Sequence, residues 1–210
     1  MAVAISEIHP TRGELLKTLR QITLTKRGYE LLKEKRDALV MEFFNVLTQL
    51  EDARKRTYEV LGEAYRSLSH AMVAMGSLEV RKAAAATGIE LEIDIATRNI
   101  MGVAVPVIEA QKLERKVTER GYSLVQTSAE LDLAAKKFEK ALVAMLKLAE
   151  IEETLRLLAR ETERTKRRVN SLEHVVIPRL ETIKKFIERH LEELERENFF
   201  RLKRIKAMIA

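Results

Sequence analysis

The chain has no cysteine and no tryptophan, only 3 prolines and 7 glycines, and aromatic side chains at 5% of its 210 positions. Each shortage removes a possibility. Without thiols there is no disulfide, no cysteine nucleophile and no cysteine-held metal. With so few large aromatic rings, a sizeable compact core is not expected, although a chain of this length would ordinarily make one globular domain or a small pair. No apolar run approaches the ~18 residues of a membrane-crossing helix, and the first residues lack the charged-then-apolar pattern of an export signal. The sequence therefore reads as cytoplasmic, with no transmembrane segment.

Chemistry-bearing motifs are equally scarce. There is no Gly-Lys-Ser/Thr phosphate loop and no Gly-x-Ser-x-Gly elbow. His9, His70, His174 and His190 are scattered, and no two of them share the one-turn spacing of a helical metal site. Glu192, Glu193, Glu195 and Glu197 resemble paired acids, but lysines and arginines four residues away make them a solvated helix face. No catalytic, metal-binding or cofactor-binding constellation is expected.

Charge is what the chain has in abundance. Charged residues make up 33% of the sequence, yet the formal net charge is only +6 because the two signs interleave. That pattern suits the wet outside of a coiled coil and does not by itself point to nucleic acid. The plentiful Glu, Lys and Arg, with no Cys and few Asn or Gln, also match a thermophile's composition.

Two apolar stripes with alternating three- and four-residue steps dominate the pattern. The first runs Leu15, Ile22, Tyr29, Leu32, Leu39, Phe43, Val46, Leu50, Ala53, Val60 and Ala64, interrupted by Thr18, Thr25, Arg36 and Thr57. The second runs Leu131, Ala134, Phe138, Ala141, Met145, Leu148, Ile151, Leu155 and Leu158, then Thr162, Thr165, Val169, Leu172 and Val176. A repeat near 3.5 residues keeps two supercoiling helices facing each other. The expected fold is all-α and elongated, a long antiparallel two-helix coiled coil, with helices of about 90 and 120 Å at 1.5 Å per residue. Three stretches follow: an N-terminal helix over 1–72, a bend region over 73–126 and a C-terminal helix over 127–210, acting as one unit. Capping boxes at Thr11–Glu14 and Thr127–Glu130 mark the expected helix starts.

In the bend region the period changes to two. Ile89, Leu91, Ile93 and Ile95 alternate with acids, and after Thr97-Arg98-Asn99 a second alternation begins at Val103, Val105 and Val107. A small β-hairpin is expected, with Gly102 at a bulge or the turn and Pro106 restricted to an edge or strand end. Its apolar residues, Ile89, Leu91, Ile93, Ile95, Val103 and Val105, are candidates for docking a partner at the foot of the hairpin of helices. Gly28 and Gly62 sit inside the first helix, either as tolerated cost or where another backbone comes close. Pro178 predicts a bend near Val175 to Ile177, with a stutter of four-residue steps after it.

The densest charge is Arg164, Lys166, Arg167 and Arg168. Antiparallel pairing brings Lys33, Lys35 and Arg36 to the same height, with Arg36 facing Thr162 and Thr165. The result is a basic collar beside a polar stretch of seam, which is either a solvated surface, a register lock or a contact for acidic loops.

Finally, Lys166-Arg167-Arg168-Val169-Asn170-Ser171-Leu172-Glu173, Ile177-Pro178-Arg179-Leu180 and Glu195-Arg196-Glu197-Asn198-Phe199-Phe200-Arg201-Leu202-Lys203 resemble the C-terminal signature of the D subunit of archaeal (A-type) and vacuolar (V-type) rotary ATPases. Pro10-Thr11-Arg12 and Gly28-Tyr29-Glu30-Leu31-Leu32-Lys33-Glu34-Lys35-Arg36 resemble its N-terminal block. No departure is larger than Ser171, where a small residue such as Ala is common. The resemblance implies a non-catalytic, cofactor-free rotor axle on the cytoplasmic face of the membrane. Its partners would be the catalytic A and B subunits of the head, the F subunit alongside, and the C subunit, which is the socket on the ion-translocating ring. The collar residues would contact the head, and Pro178 would supply asymmetry. The alternative from another class is a free-standing coiled-coil scaffold or tether that binds nucleic acid through its basic face.

Overall fold

The structure, a computed structural model, describes residues 9–87, 93–110, 120–122 and 127–209. Its elements are α1 (Arg12–Met75), α2 (Ser77–Ala86), β1 (Ile93–Ile100), β2 (Val103–Ala110), α3 (Ala129–Ser171), a π-helical turn (Leu172–Val176) and α4 (Ile177–Ile209). The chain is thus mainly helical with one small antiparallel β-hairpin, as the two periodicities indicated. It divides into two compact units, Met1–Ala38 with Thr162–Ala210, and Leu39–Glu161.

In the first unit, the start of α1 runs antiparallel to α4. Arg12 pairs with Glu195 at 2.7 Å and Lys26 with Glu181 at 2.8 Å. Buried Thr18, Thr165, Val169 and Ile187 form the seam, with Leu15, Ile22, Leu180 and Leu191 half-buried around them. The Thr11 hydroxyl accepts the Glu14 N–H at 3.2 Å, which is one half of the anticipated capping box. The Glu14 carboxylate turns instead to Lys17, at 3.5 Å.

In the stretch where Pro178 predicts a bend, the helix makes the π turn. Ile177 donates its N–H to the Leu172 carbonyl, five residues back, just before the proline that has no N–H to give. Two successive four-residue steps, Leu172 to Val176 to Leu180, drift off the face of a regular α-helix, and a wider turn takes up the surplus residue.

In the second unit α1 and α3 run antiparallel, with Arg54 on Glu152 at 2.9 Å and the Tyr65 ring edge-on to Phe138 at 5.5 Å. Leu50, Thr57, Ala64, Ala134 and Ala141 are buried along this seam, whereas Met145, assigned to the stripe, is exposed. Two apolar clusters flank it. One joins Leu39, Val46 and Leu158 to Val103 and Val105 of the hairpin, with Phe43, Ile100, Ile151 and Leu155 around them. The other joins Ala71, Val80, Ala83 and Leu131, with Leu68, Met75 and Tyr122 packed against it.

Helix α2 was not anticipated. The break that separates it from α1 is Gly76 at φ 86°, a backbone conformation that favours glycine. The second long helix begins at Ala129, with the Ser128 hydroxyl accepting the Glu130 N–H at 3.3 Å.

The hairpin register also differs from the sequence reading. Ile93 pairs with Ala110 and Ile100 with Val103, so Thr97, Arg98 and Asn99 lie inside β1 and the turn is Met101-Gly102. Both turn residues have positive φ, 51° and 87°, the geometry of a type I′ turn that matches strand twist. Gly102 is therefore the turn itself. Neither Gly28 nor Gly62 has any neighbour within 4 Å of where a Cβ would stand, so no backbone approaches either one.

Candidate partner-binding surfaces

The hairpin emerges from the segment that joins the long helices but lies along them rather than beyond them. Val103 and Val105 are buried against Leu39, Val46 and Leu158, which removes both as foot-docking residues. The physical reason is that a two-stranded ribbon lacks a core of its own and must spend one apolar face on the helices. Ile93 and Ile95 remain exposed on the other face. Ile89 and Leu91 lie outside the described residues.

The basic collar residues sit in the first unit. Arg164, Lys166, Arg167 and Arg168 are exposed, as is Lys33, while Lys35 and Arg36 are half-buried. Arg36 does not rely on Thr162 and Thr165 for a partner: its Nε and Nη2 both donate to Asp37 Oδ1, at 2.9 and 2.6 Å. Arg167 pairs along its own helix with Glu163 at 3.2 Å. Part of the collar's charge is thus neutralised locally. Beside it, burial and then a hydrogen bond to Glu173 in the π turn push the Tyr29 phenol above its ordinary value. The bond from Lys26, reinforced by its charge, lowers the Glu181 carboxyl.

Past Glu195, α4 carries Phe199, Phe200, Leu202, Ile205, Met208 and Ile209, all exposed. Between them stand Arg201, Lys203, Arg204 and Lys206, with the Lys203 ammonium 4.6 Å from the centre of the Phe199 ring. Sequence reasoning missed this continuous apolar-and-basic surface. The run Asn198-Phe199-Phe200 was its signal, since the coil stripe leaves no inward place for both rings.

Sequence reasoning also missed a buried ionic cluster. Arg120 is only 5% exposed; its Nε lies 3.3 Å from Glu139 Oε1, and its Nη1 donates to the Asp132 carbonyl at 3.1 Å. Tyr122 donates its hydroxyl to the Asp132 carboxylate. Desolvation opposes the Arg120 charge, but the bonds to Tyr122 and Glu139 outweigh it and raise the guanidinium's value. Between the two, Gly121 has φ 83°, and a Cβ there would stand 3.0 Å from the Ala86 carbonyl oxygen. The segment is thereby strapped to α2 on one side and α3 on the other.

Among the described residues no group of three or more His, Asp or Glu side chains is placed to hold a metal, and no helix is long and apolar enough to cross a membrane. Long helices paired antiparallel in each unit, with charge and apolar surface on their outer faces, define a protein of the coiled-coil class. Family comparison makes this specific: residues 14–207 match the family of the ATP synthase D subunit, and the chain belongs to it. It is 51% identical over 205 residues to the A-type ATP synthase D subunit of Pyrococcus horikoshii, covering 98% of this chain and 96% of that one. The corresponding protein of Thermococcus gammatolerans is 52% identical over 202 residues, covering 96% and 94%. That of Methanopyrus kandleri is 51% identical over 210 residues, covering 98% and 88%. The chain is accordingly one component of a rotary ATP synthase complex.

Proposed function

We propose that this chain is the central rotor axle of an A/V-type rotary ATPase. It carries rotation between the membrane ion-translocating ring and the catalytic A/B head, during ATP synthesis or ATP-driven ion pumping. The observation that carries the reading is family membership across residues 14–207, which takes in both long helices and the hairpin together. In this reading the protein is not itself an enzyme. It works at the cytoplasmic face of the cell membrane, with the A and B subunits around its helices, the F subunit alongside and the C subunit for its socket.

Physical features support the axle part of this reading. An axle must resist twisting, and a seam of buried Leu, Val, Ala and Thr closed by ion pairs between paired helices serves that end. It must also present different sides to successive catalytic interfaces, because a three-fold symmetric rod would bias all of them equally and shift no population. The π turn before Pro178 and the exposed Arg164, Lys166, Arg167 and Arg168 are the sources of that asymmetry. The exposed apolar and basic end of α4 suits an enclosing sleeve of partner residues. The three sequence stretches, 1–72, 73–126 and 127–210, work as parts of one shaft in this proposal.

The test is co-expression with the A and B head subunits of the same organism, with stoichiometry read by native mass spectrometry. One copy per three A/B pairs is the expected result. A chain that elutes alone or as its own dimer, with the head intact, would overturn the reading.

A further inference from the structure

The two edges of the hairpin are not equivalent. With Ile100 opposite Val103 across a two-residue turn, Asp94, Ala96, Arg98 and Ile100 exchange backbone bonds with β2. The N–H and C=O groups of Ile93, Ile95, Thr97 and Asn99 therefore point away from β2, and those of Ala104, Pro106 and Ile108 point away from β1.

On the β2 edge two of the three outward N–H positions are disposed of. Pro106 has no N–H, and the Ile108 N–H donates to the Glu150 carboxylate of α3 at 3.3 Å. On the β1 edge nothing equivalent is present among the described residues. Ile93 to Asn99 are all exposed, and among the described residues no backbone group meets the outward N–H and C=O of Ile95 and Thr97. The strand has neither proline nor lysine, though it carries Asp94 and Arg98, and among the described residues no backbone group covers its 8-residue edge. Folded proteins rarely leave such an edge unprotected, because it is a template for another strand. Ile95 is 68% exposed on the face turned away from the buried Val103 and Val105. Arg98, on the opposite face, is exposed and has no carboxylate partner among the described residues.

We propose that β1 is completed by an extended strand of a partner protein, which places an apolar side chain beside Ile95 and an acidic one beside Arg98. Backbone pairing supplies the affinity, and the two side-chain positions supply the choice of strand. The proposal rests on the reading above in that the partner belongs to the same assembly. It goes further by naming the edge, the mode of pairing and the charge of the strand that fits.

The experiment is residue-resolved hydrogen exchange on the full chain, free and in the assembly co-expressed with the ATP synthase subunits of the same organism. The Ile95 and Thr97 amides are expected to slow at least ten-fold (~1.4 kcal/mol) on assembly, while Ala96 and Arg98, already bonded to β2, change little. Thr97→Pro mirrors its cross-strand neighbour Pro106 and removes an outward donor without touching the ladder, so it should lower partner retention at least ten-fold. Arg98→Glu should do the same, and it carries the test if Thr97→Pro loses the β2-bonded amides. One copy in an intact assembly with Ile95 and Thr97 exchanging as in the free chain would overturn strand addition and leave the axle reading standing. Absence of the chain from any assembly would sink both.

Discussion

Gly121 stands with its α-carbon against the Ala86 carbonyl, so close that a Cβ would come within 3.0 Å of the oxygen, and its φ is 83°. Both facts disfavour a side chain. Gly121→Ala is expected to destabilise the protein by about 2 kcal/mol, from the disfavoured backbone and the clash together. Gly28→Ala, in open space within α1, should instead stabilise it by about 1 kcal/mol. Urea unfolding of the two variants checks the contrast; equal shifts would refute it.

Arg120 is buried between Glu139 and Tyr122. Removing one partner of such a cluster leaves the others desolvated without compensation. Arg120→Met should therefore cost about 3 kcal/mol, with faster hydrogen exchange across α2. Adding Glu139→Gln to that variant should recover part of the loss, because it removes the orphaned charge. No recovery would mean that packing, and not charge, sets the effect.

The turn offers a gain. Met101 occupies φ 51°, a conformation poorly suited to its side chain. Met101→Asn should stabilise the hairpin by about 0.5 to 1 kcal/mol, since type I′ turns favour Asn-Gly. Slower exchange at the Val103 and Val105 amides reads the outcome.

The pH dependence has two limbs. Tyr29 and Tyr122 have folded values raised above the ordinary 10.0, so the unfolded chain releases those protons first. Their contribution is complete below that ordinary value and is lost as pH rises through the folded values. Glu181 is lowered from 4.5, so its contribution holds above that value and is lost as pH falls through the folded one. Stability measured against pH should flatten on the alkaline limb in a Tyr29→Phe, Tyr122→Phe double variant, and on the acid limb in Glu181→Gln. Unchanged slopes would rule out these groups.

Charge reversal at Arg164, Arg167 and Arg168 is expected to weaken coupling to the catalytic head while leaving helicity unchanged. ATP turnover and ion transport by the assembled complex, measured beside circular dichroism, read this directly. Normal turnover with normal helicity would exclude the collar as a head contact.

What the sequence determined by itself follows from local periodicity. The seam from Leu39 to Ala64 and from Leu131 to Val169 was visible because helix geometry converts residue spacing into a face without reference to anything distant. The hairpin announced itself the same way through its period of two, and the residue blocks near both ends carried the family. The tertiary structure alone decided the rest. Alternation does not fix register, so Thr97, Arg98 and Asn99 lie inside β1 rather than after it, with a turn at a methionine that propensity argues against. Spacing likewise gives no hint that Val103 and Val105 would bury against Leu39 and Leu158, that Arg120 would find Glu139, or that the Pro178 irregularity would become a π turn. Each of these depends on how segments pack together, and packing selects one arrangement among the many that local preference allows.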